Sequence, residues 1–317
     1  RGLGDVYKRQ GEPSGYGYKD HEMTGFSLTH FSGAGCRNFG DLPMTPTVGV
    51  GNADFKVGFS HTKETAHAGY YAVTLDNGVR SELTATMRTG AARFSFPAGS
   101  AANNLLIDAW RSAAGVRDAF FQAVGPHTLE GYVASGNFCN TNNKYTLYFT
   151  AEFSQPFALS TTTNRGALLA FGELSDQTVE MRIGLSYVSI ANARANLAGE
   201  NPTHDFDRVR RQAEGIWEDH LSRVTVSSDD KAQLTKFYTA LYHSFLHPNV
   251  YSDINGEYRG FDDQIHQAHG YTQYANYSGW DIYRSQVQLL AWLFPKEASD
   301  MAQSLVAAAD ECGALPK

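Results

Sequence analysis

The stretch that decides the fold is Val179-Glu-Met-Arg-Ile-Gly-Leu-Ser-Tyr187, in which every second residue is apolar. This period of two predicts a β-strand with one face in a core, because successive side chains point to opposite faces of a strand. The alternation disfavours an all-parallel sheet, whose strands are apolar on both faces. Further strands are predicted at Tyr71–Leu75, Ala92–Phe96 and Lys144–Thr150, with a hairpin turn at Asn77-Gly78. Several such strands, separated by Gly, Asn and Pro, indicate a β-sandwich.

After about Thr203 the apolar residues recur with the period of 3.6 that is typical of helices. Helices are predicted over Val209–Trp217, Leu234–Phe245, Trp280–Phe294 and Ala298–Ala309. The expected N-terminal caps are Thr203 or Asp205 for the first helix and Ser227 or Ser228 for the second. The predicted fold class is therefore multi-domain, β and then α.

Four segments make up the predicted domain organisation. Residues 1–10 (RGLGDVYKRQ) are expected to be a non-native leader that resembles translated sequencing adapter. The β-sandwich is predicted over 11–202, a linker helix over 203–226 and the start of a helical domain over 227–317. Both ends of the chain are expected to be cut, the first because of this leader and the second because the helical pattern continues to about residue 309.

The composition excludes two function classes. A formal net charge of −7 argues against a nucleic-acid partner, because phosphate binding needs a basic face. No membrane span is expected, because the longest apolar run, Leu289–Phe294, is far shorter than the ~18 residues that a span needs. Aromatic residues make up 13% of the chain, which suits a sugar-binding surface because flat rings stack on C–H bonds.

Three cysteines, Cys36, Cys139 and Cys312, are too few for a disulfide framework or a metal knuckle. The expectation is no disulfide at all, and the alternative is one disulfide with a leftover thiol.

Two motifs each support a functional and a structural interpretation. The Gly-rich stretch from Thr29 to Cys36 lacks the third glycine and the βαβ setting of a dinucleotide site, so it predicts a tight loop against another strand or a ligand. In Ser278-Gly-Trp-Asp-Ile-Tyr-Arg284, the spacing favours a capping box from Ser278 to Asp281 and an ion pair between Asp281 and Arg284. The functional alternative is a stacking platform with a hydroxyl-binding carboxylate.

The chain offers no complete metal motif. Asp253-Ile-Asn-Gly256 resembles the opening of a calcium loop, but the later acidic residue is missing and a tight turn is expected. His243 and His247 are four residues apart, yet no third zinc ligand accompanies them. Sequence alone assigns no acid/base pair of carboxylates.

Segments along nearly the whole chain resemble the family 92 glycoside hydrolases, which are calcium-dependent exo-acting α-mannosidases. In order, the resembling segments are Gly15–Asp20, Gly25–Cys36, Gly40–Pro46, Glu82–Arg88, Arg93–Pro97, Phe237–His243, Asp253–Gly260 and Ser278–Arg284. The resemblance implies an N-terminal β-sandwich, here without its first strand, a linking helix and the first helices of a truncated (α/α)6 barrel. It also implies an active site between the two domains.

The resemblance further implies an inverting reaction that releases terminal mannose from α-mannoside glycans, with calcium engaging the sugar hydroxyls. Trp280 and Asp281 are the expected contacts to the terminal mannose, and Gly35 and Cys36 the contribution of the sandwich. His30 and Arg284, from the same two motifs, complete the expected substrate-binding set. The catalytic acid, the base and most or all calcium ligands are expected beyond Lys317, so this fragment should be inactive. Family members in bacteria are typically exported, so a periplasmic or secreted location is expected.

Two other function classes fit parts of the pattern. A non-catalytic carbohydrate-binding module explains the sandwich and the aromatic residues but not four helices. A structural or adaptor protein is the second alternative. If the helices are part of a larger barrel, their apolar residues Phe237, Leu241, Phe245, Leu290 and Leu293 should be partly exposed, and the fragment should aggregate or pack loosely.

Overall fold

The computed structural model describes residues 15–31, 35–50, 54–162 and 165–315. The chain separates into two compact units, Arg1–Glu214 and Gly215–Lys317. The predicted leader at residues 1–10 lies outside the described residues.

The first unit is built from two antiparallel sheets. In chain order its strands are β1 (Glu22–Met23), β2 (Met44–Val48), β3 (Val57–His67), β4 (Tyr70–Leu75), β5 (Arg80–Ala85), β6 (Thr89–Ser95), β7 (Asn103–Ile107), β8 (Val116–Ala123), β9 (Thr128–Ser135), β10 (Tyr145–Phe153), β11 (Ala158–Thr161), β12 (Ala167–Gly172) and β13 (Thr178–Ser186). The larger sheet has the order β1-β3-β4-β5-β6-β13-β10-β9-β8, and the smaller has the order β11-β12-β7-β2. Apolar side chains from both sheets form one core, as in a β-sandwich.

Strand β13 confirms the prediction from its alternating sequence. Val179, Met181 and Ile183 are at most 2% exposed and lie in the core between the sheets. The strand pairs with β6 on one side and β10 on the other, so it is central in the larger sheet. A central position explains why this stretch has the clearest alternation in the chain.

The predicted hairpin at Asn77-Gly78 is also confirmed. It joins β4 to β5, and the Leu75 amide donates to the Val79 carbonyl at 2.9 Å. The Asn77 side-chain oxygen accepts from the Val79 amide at 3.1 Å, which closes the turn.

One helix is not predicted by the apolar periodicity: α1 (Ile190–Glu200), within the segment assigned to the sandwich. Its buried residues are Asn192, Ala193, Asn196 and Leu197. The helix packs on the outer face of β13 at Gly184, where an added Cβ would lie 2.2 Å from the Ala193 carbonyl oxygen. The side-chain amide of Asn196 donates to the Leu185 carbonyl at 2.8 Å, so this buried polar side chain has a hydrogen-bond partner.

The next helix, α2 (Phe206–Ser222), contains the predicted helix and runs beyond it at both ends. Of the two cap candidates, Asp205 takes the role, since its Oδ1 accepts from the Arg208 amide at 2.9 Å.

Arg93 anchors the start of α2 to the outer face of the larger sheet. On β6, it lies opposite Glu82 of β5 and Glu180 of β13. Its guanidinium is 3.0 Å from the Glu82 carboxylate, 3.8 Å from Glu180 and 2.9 Å from Asp207 of α2. It also lies 4.7 Å from the centre of the Phe206 ring, a cation–π contact. One side chain thus joins three strands to the helix.

Arg93→Met is expected to lower the free energy of unfolding of the first unit by about 1.5–3 kcal/mol, because the buried Glu82 carboxylate would lose its main ion-pair partner and keep only Tyr70 and the more distant Arg80. Urea denaturation at neutral pH measures the loss. Burial alone would raise the Glu82 pKa, but the hydrogen bonds from Arg93 and Tyr70 outweigh burial and hold it below its ordinary value. The stabilisation is therefore present above the unfolded-state pKa and is lost as the pH falls through the lower folded-state value.

Arg210→Met is the matched control for this prediction. Arg210 is part of α2, pairs with Glu214 at 2.7 Å and lies over the Tyr70 ring, but in a more exposed position. The expected loss is below about 1 kcal/mol. Equal losses in the two variants would contradict the anchoring role of Arg93.

The second unit contains helices with short strand pairs between them. Its elements are α3 (Lys231–Ser244), β14 (Asn249–Val250), β15 (Glu257–Arg259), β16 (Ile265–Gln267), β17 (Tyr274–Ala275), α4 (Gly279–Ile282), α5 (Gln286–Leu293) and α6 (Pro295–Cys312). Strand β14 pairs with β17, and β15 pairs with β16. The expected turn at Asp253 is confirmed, since the Gly256 amide donates to the Asp253 carbonyl at 2.9 Å.

Two details of the helix predictions are wrong. The cap of α3 is Asp230, whose carboxylate accepts from the Ala232 and Gln233 amides, rather than Ser227 or Ser228. The single helix expected over 280–294 is divided into α4 and α5, because Ser285 has a φ of 58°, in the left-handed region. The apolar period continues across the break, so the sequence does not reveal it.

The predicted exposure of the helical apolar residues is confirmed in part. Phe237, Phe245 and Leu293 are half-buried, whereas Leu241 and Leu290 are buried. Other large apolar side chains of the unit are more exposed: Trp292 at 75%, Val306 at 51%, Ile216 at 47% and Val287 at 42%. Aggregation of the chain stays a prediction. In the described part of the chain, the helices are too short or too polar to cross a membrane.

Candidate functional site

The Gly-rich segment of the first unit has two anchored stems. Phe26 and Met44 exchange two backbone hydrogen bonds of 2.8 Å. Inside that bridge, the Ser27 hydroxyl donates to the Asp41 carbonyl at 2.6 Å, and the Asp41 amide donates to the Thr29 hydroxyl at 2.9 Å. The two ends of the predicted tight loop are therefore joined by hydrogen bonds, and its residues 32–34 lie outside the described residues.

A disulfide joins Cys36 of this segment to Cys139, with the two Cα atoms 5.3 Å apart. The expectation of no disulfide is therefore wrong, and the alternative is confirmed, with Cys312 as the exposed free thiol. The partners are 103 residues apart in sequence. Cys139 is part of a short 3-10 turn, Phe138–Asn140, between β9 and β10, and the fold of the sheet carries that turn to Cys36.

The predicted substrate-binding residues of this segment differ in exposure. Gly35 is exposed and Cys36 is half-buried, while His30 is only 5% exposed. The His30 imidazole lies against Gly15, where a Cβ would be 2.5 Å from a ring atom. Burial lowers the His30 pKa to about 4, so the ring is neutral at physiological pH. Gly35 and Cys36 are therefore the accessible members, and the role of all three in binding stays a prediction.

In the second unit, two of the other predicted binding residues, Trp280 and Asp281, are part of the single turn of α4, and Arg284 follows it. Trp280 is 79% exposed, and Asp281 and Arg284 are also exposed. The capping box does not form as expected, because the Ser278 hydroxyl donates to the Asp281 carboxylate rather than accepting from a backbone amide. The expected Asp281–Arg284 ion pair is also wrong, because the Arg284 guanidinium lies over the Tyr283 ring and donates to its hydroxyl at 2.6 Å.

Polar contacts hold the chain on both sides of α4. The Tyr277 hydroxyl donates to the Met301 carbonyl of α6 at 2.8 Å. After the turn, the side-chain amide of Gln286 donates to the backbone carbonyls of Ser244 and His247, at 3.0 and 3.1 Å. An exposed indole and an exposed carboxylate on an anchored turn suit sugar binding, by ring stacking and by hydrogen bonds to hydroxyls.

Across the described residues, His, Cys, Asp and Glu side chains form no group of three or more that could hold a metal ion. His243 and His247 thus acquire no third ligand from the described chain. Calcium needs six to eight oxygen ligands. The described His, Cys, Asp and Glu side chains therefore do not form a calcium site on their own.

Two polar residues of the first unit, Asp41 and Tyr145, were not predicted from the sequence. The Tyr145 hydroxyl lies 2.9 and 3.0 Å from the two Asp41 carboxylate oxygens. They are 104 residues apart, and only the position of Asp41 in the family-like segment Gly40–Pro46 marks it in the sequence.

Sequence profiles of known families match both halves of the chain. The profile of the glycosyl hydrolase family 92 N-terminal domain matches residues 4–186, and that of the family's catalytic domain matches residues 192–317. The chain belongs to glycosyl hydrolase family 92. The limits of the two profiles and the division of the chain after Glu214 do not test the domain boundaries predicted above, which stay a prediction.

Solved structures of family 92 share the fold. An α-mannosidase of Bacteroides thetaiotaomicron is 30% identical, with a TM-score of 0.87 over 94% of this chain and 44% of that one. An inverting mannosidase of the same organism is 24% identical, with a TM-score of 0.86 over 99% of this chain and 45% of that one. These matches confirm the predicted fold, a β-sandwich followed by helices of the family's catalytic domain.

A curated relative is an uncharacterised secreted glycosidase of Arthroderma benhamiae. The alignment is 26% identical and covers 76% of this chain and 37% of the relative. The chain thus spans less than half the length of each of these similar proteins.

Proposed function

We propose that this chain contributes the sandwich and the first catalytic-domain helices of an exo-acting enzyme that releases terminal mannose from α-mannosides, including N-glycans. The observation that carries the proposal is the α-mannosidase that matches 94% of the chain at 30% identity with a TM-score of 0.87. The match of residues 192–317 to the family's catalytic domain speaks against the alternative of a non-catalytic binding module.

In this proposal the exposed residues of each predicted motif are sugar-binding residues. Trp280 offers a ring face to the C–H bonds of the terminal mannose, and the Asp281 carboxylate accepts hydrogen bonds from its hydroxyls. Arg284, held over Tyr283, supplies a further contact in the second unit. In the first unit, Gly35 and Cys36 are the proposed substrate-binding residues. His30 is buried against Gly15, so of the predicted binding residues in the first unit only Gly35 and Cys36 are accessible.

The proposed reaction inverts the anomeric carbon. A carboxylic acid protonates the leaving oxygen while a carboxylate about 6.5–9.5 Å away activates water on the opposite face of the ring. We place both groups beyond Lys317, together with most or all of the ligands of a calcium ion. Calcium, when bound, would engage the sugar hydroxyls and stabilise charge, and no step is assigned to it among the residues of this chain.

We further propose a periplasmic or secreted enzyme. The Cys36–Cys139 disulfide supports this location, because disulfides persist in oxidising compartments. The secreted glycosidase of Arthroderma benhamiae supports it as well.

The test compares this chain with the full-length enzyme, meaning this chain continued through the remainder of the family's catalytic domain. The full-length enzyme is expected to release mannose from an aryl α-mannoside, to lose that activity in a chelator and to yield β-mannose first by NMR. The 317-residue chain is expected to be inactive with or without calcium, because loss of either the acid or the base alone removes about two to four orders of magnitude.

Each result has a contrary outcome. Calcium-dependent release of mannose by the 317-residue chain would show that the acid and base lie within it. A full-length enzyme that cleaves other glycosides but no α-mannoside would overturn the proposed substrate.

A further inference from the structure

Asp41 is a buried carboxyl group, 1% exposed, in the stretch of chain that follows the accessible residues Gly35 and Cys36. The Tyr145 hydroxyl bonds both of its oxygens, and the Thr29 hydroxyl bonds Oδ2 at 3.2 Å. Its own amide donates to the Thr29 hydroxyl, and its carbonyl accepts from Ser27. Every polar atom of Asp41 therefore contributes to holding this segment on the sandwich.

The partners of the carboxyl group are the hydroxyls of Tyr145 of β10 and Thr29. The hydroxyls of Ser112 and Ser135 lie 2.7 Å from each other and donate to the carbonyls of Phe39 and Gly115. A hydroxyl can donate or accept, so this environment can satisfy a protonated carboxyl group as well as an ionised one.

The charged and titratable groups around this cluster do not favour ionisation of Asp41. Tyr187 faces Tyr145 across 6.0 Å between ring centres. Arg117 is the neighbouring cation, and its guanidinium donates to backbone carbonyls, including that of Tyr145 at 3.4 Å. Within the described residues, neither Lys nor Arg forms an ion pair with Asp41. Burial accordingly raises the Asp41 pKa from its ordinary value of 3.8 to about 6, although the hydroxyl hydrogen bonds oppose the rise.

The backbone on either side of Asp41 is strained. Phe39 has a φ of 57° and Leu42 a φ of 53°, values in the left-handed region that non-glycine residues seldom adopt. The Phe39 ring stacks on Tyr145 at 4.8 Å, next to the Asp41 contact. Such a conformation persists only where surrounding contacts stabilise it. The hydrogen bonds of Asp41 to Tyr145, Thr29 and Ser27 are polar contacts of this kind.

We propose that Asp41 is a positioning residue for Gly35 and Cys36: in its protonated form it holds the segment 35–41 against β10, and its ionisation loosens that segment. The Cys36–Cys139 disulfide fixes the other end of the segment, so Asp41 is the part of the attachment that responds to pH. This rests on the proposed function, which takes Gly35 and Cys36 to face the mannoside.

The direction of the pH effect follows from proton binding. Between the unfolded value of 3.8 and the folded value of about 6, the closed segment holds a proton that the open segment releases. The closed state is therefore favoured fully below the lower value, and that preference is lost as the pH rises through the higher one. The opening equilibrium should rise about tenfold from about pH 5 to about pH 7 and change little above that.

Hydrogen exchange of the 317-residue chain tests this directly. After correction for intrinsic rates, the Asp41 amide is expected to show the roughly tenfold rise, while core amides of β13 do not. Asp41→Asn keeps the shape in a neutral form, so it should remain closed and lose the pH dependence. Asp41→Ala should open at both pH values. An Asp41→Asn chain that keeps the tenfold rise would overturn the proposal.

Two further variants keep the test decisive. Glu130→Gln removes another buried carboxylate of the unit, one that pairs with Arg194, and should leave the pH dependence of the Asp41 amide intact. Tyr145→Phe removes the main hydroxyl partner and should increase exchange at both pH values. No change in exchange from Tyr145→Phe would contradict the attachment through β10.

Kinetics of the full-length enzyme separate positioning from stability. At about pH 5, Asp41→Ala is expected to raise KM about tenfold with little change in kcat, while Asp41→Asn restores the wild-type KM. Unchanged KM in Asp41→Ala, despite faster exchange, would overturn the positioning role. A wild-type enzyme without α-mannosidase activity would instead contradict the proposed function and leave the exchange result standing.

Discussion

Asp281→Ala in the full-length enzyme is expected to lower kcat/KM on an aryl α-mannoside about ten- to a hundred-fold, because a hydrogen bond to a charged group contributes roughly 1.5–3 kcal/mol. The melting temperature should hardly change, since Asp281 is exposed and accepts from the Ser278 hydroxyl rather than from a backbone amide. Steady-state kinetics and thermal unfolding on the same preparations measure both effects.

Three companion variants sharpen this prediction. Asp281→Asn keeps the shape but loses the charge, so it should remain strongly impaired. Trp280→Ala removes a ring that is 79% exposed and should lower kcat/KM about tenfold through lost stacking, with little effect on stability. Asp229→Asn changes an exposed carboxylate outside α4 and is the matched control, with unchanged kinetics.

The contrary outcomes point to a structural role. If Asp281 served only to cap α4, Asp281→Ala would lower stability by roughly 0.5–2 kcal/mol and leave kcat/KM nearly unchanged. An Asp281→Asn enzyme with wild-type kcat/KM would remove Asp281 from the proposed sugar-binding residues.

Removal of the Cys36–Cys139 disulfide is expected to lower the free energy of unfolding of the first unit by about 2–5 kcal/mol. The bridge closes a loop of 103 residues, and in the chain-entropy description a loop of about 100 residues corresponds to about 4.7 kcal/mol. Urea denaturation of the Cys36→Ala/Cys139→Ala double variant measures the loss.

Cys312→Ser is the control, since the thiol of Cys312 is free and exposed, and it should not change stability. Thiol titration of the unreduced, denatured wild type should find one free thiol, and three after reduction. Three free thiols before reduction would show that the bridge is absent from the protein.

Sequence periodicity predicted the elements whose pattern comes from burial of apolar side chains. Val179, Met181 and Ile183 alternate because β13 is central and has one face in the core. Helix α1 escaped prediction because two of its four buried residues are asparagines, which hydrogen-bond within the unit and leave no apolar period. A local pattern detects apolar burial, whereas polar burial depends on partners elsewhere in the chain.

The candidate site divides in the same way. The exposed residues Trp280, Asp281 and Arg284 were identified from their motif, because they are close together in sequence, in α4 and just after it. Their hydrogen bonds were not, since the same spacing permits a capping box and an ion pair that the structure replaces with side-chain contacts to Ser278 and Tyr283.

By itself, the sequence determined that a β-sandwich precedes helices and that the chain resembles family 92, because strand and helix periods and family motifs are contained in short stretches. Only the tertiary structure decided that Cys36 meets Cys139 and that Asp41 meets Tyr145. Both contacts join residues more than a hundred positions apart. They depend on the register of β9 and β10 in the sheet, which many strands determine together and no local pattern records.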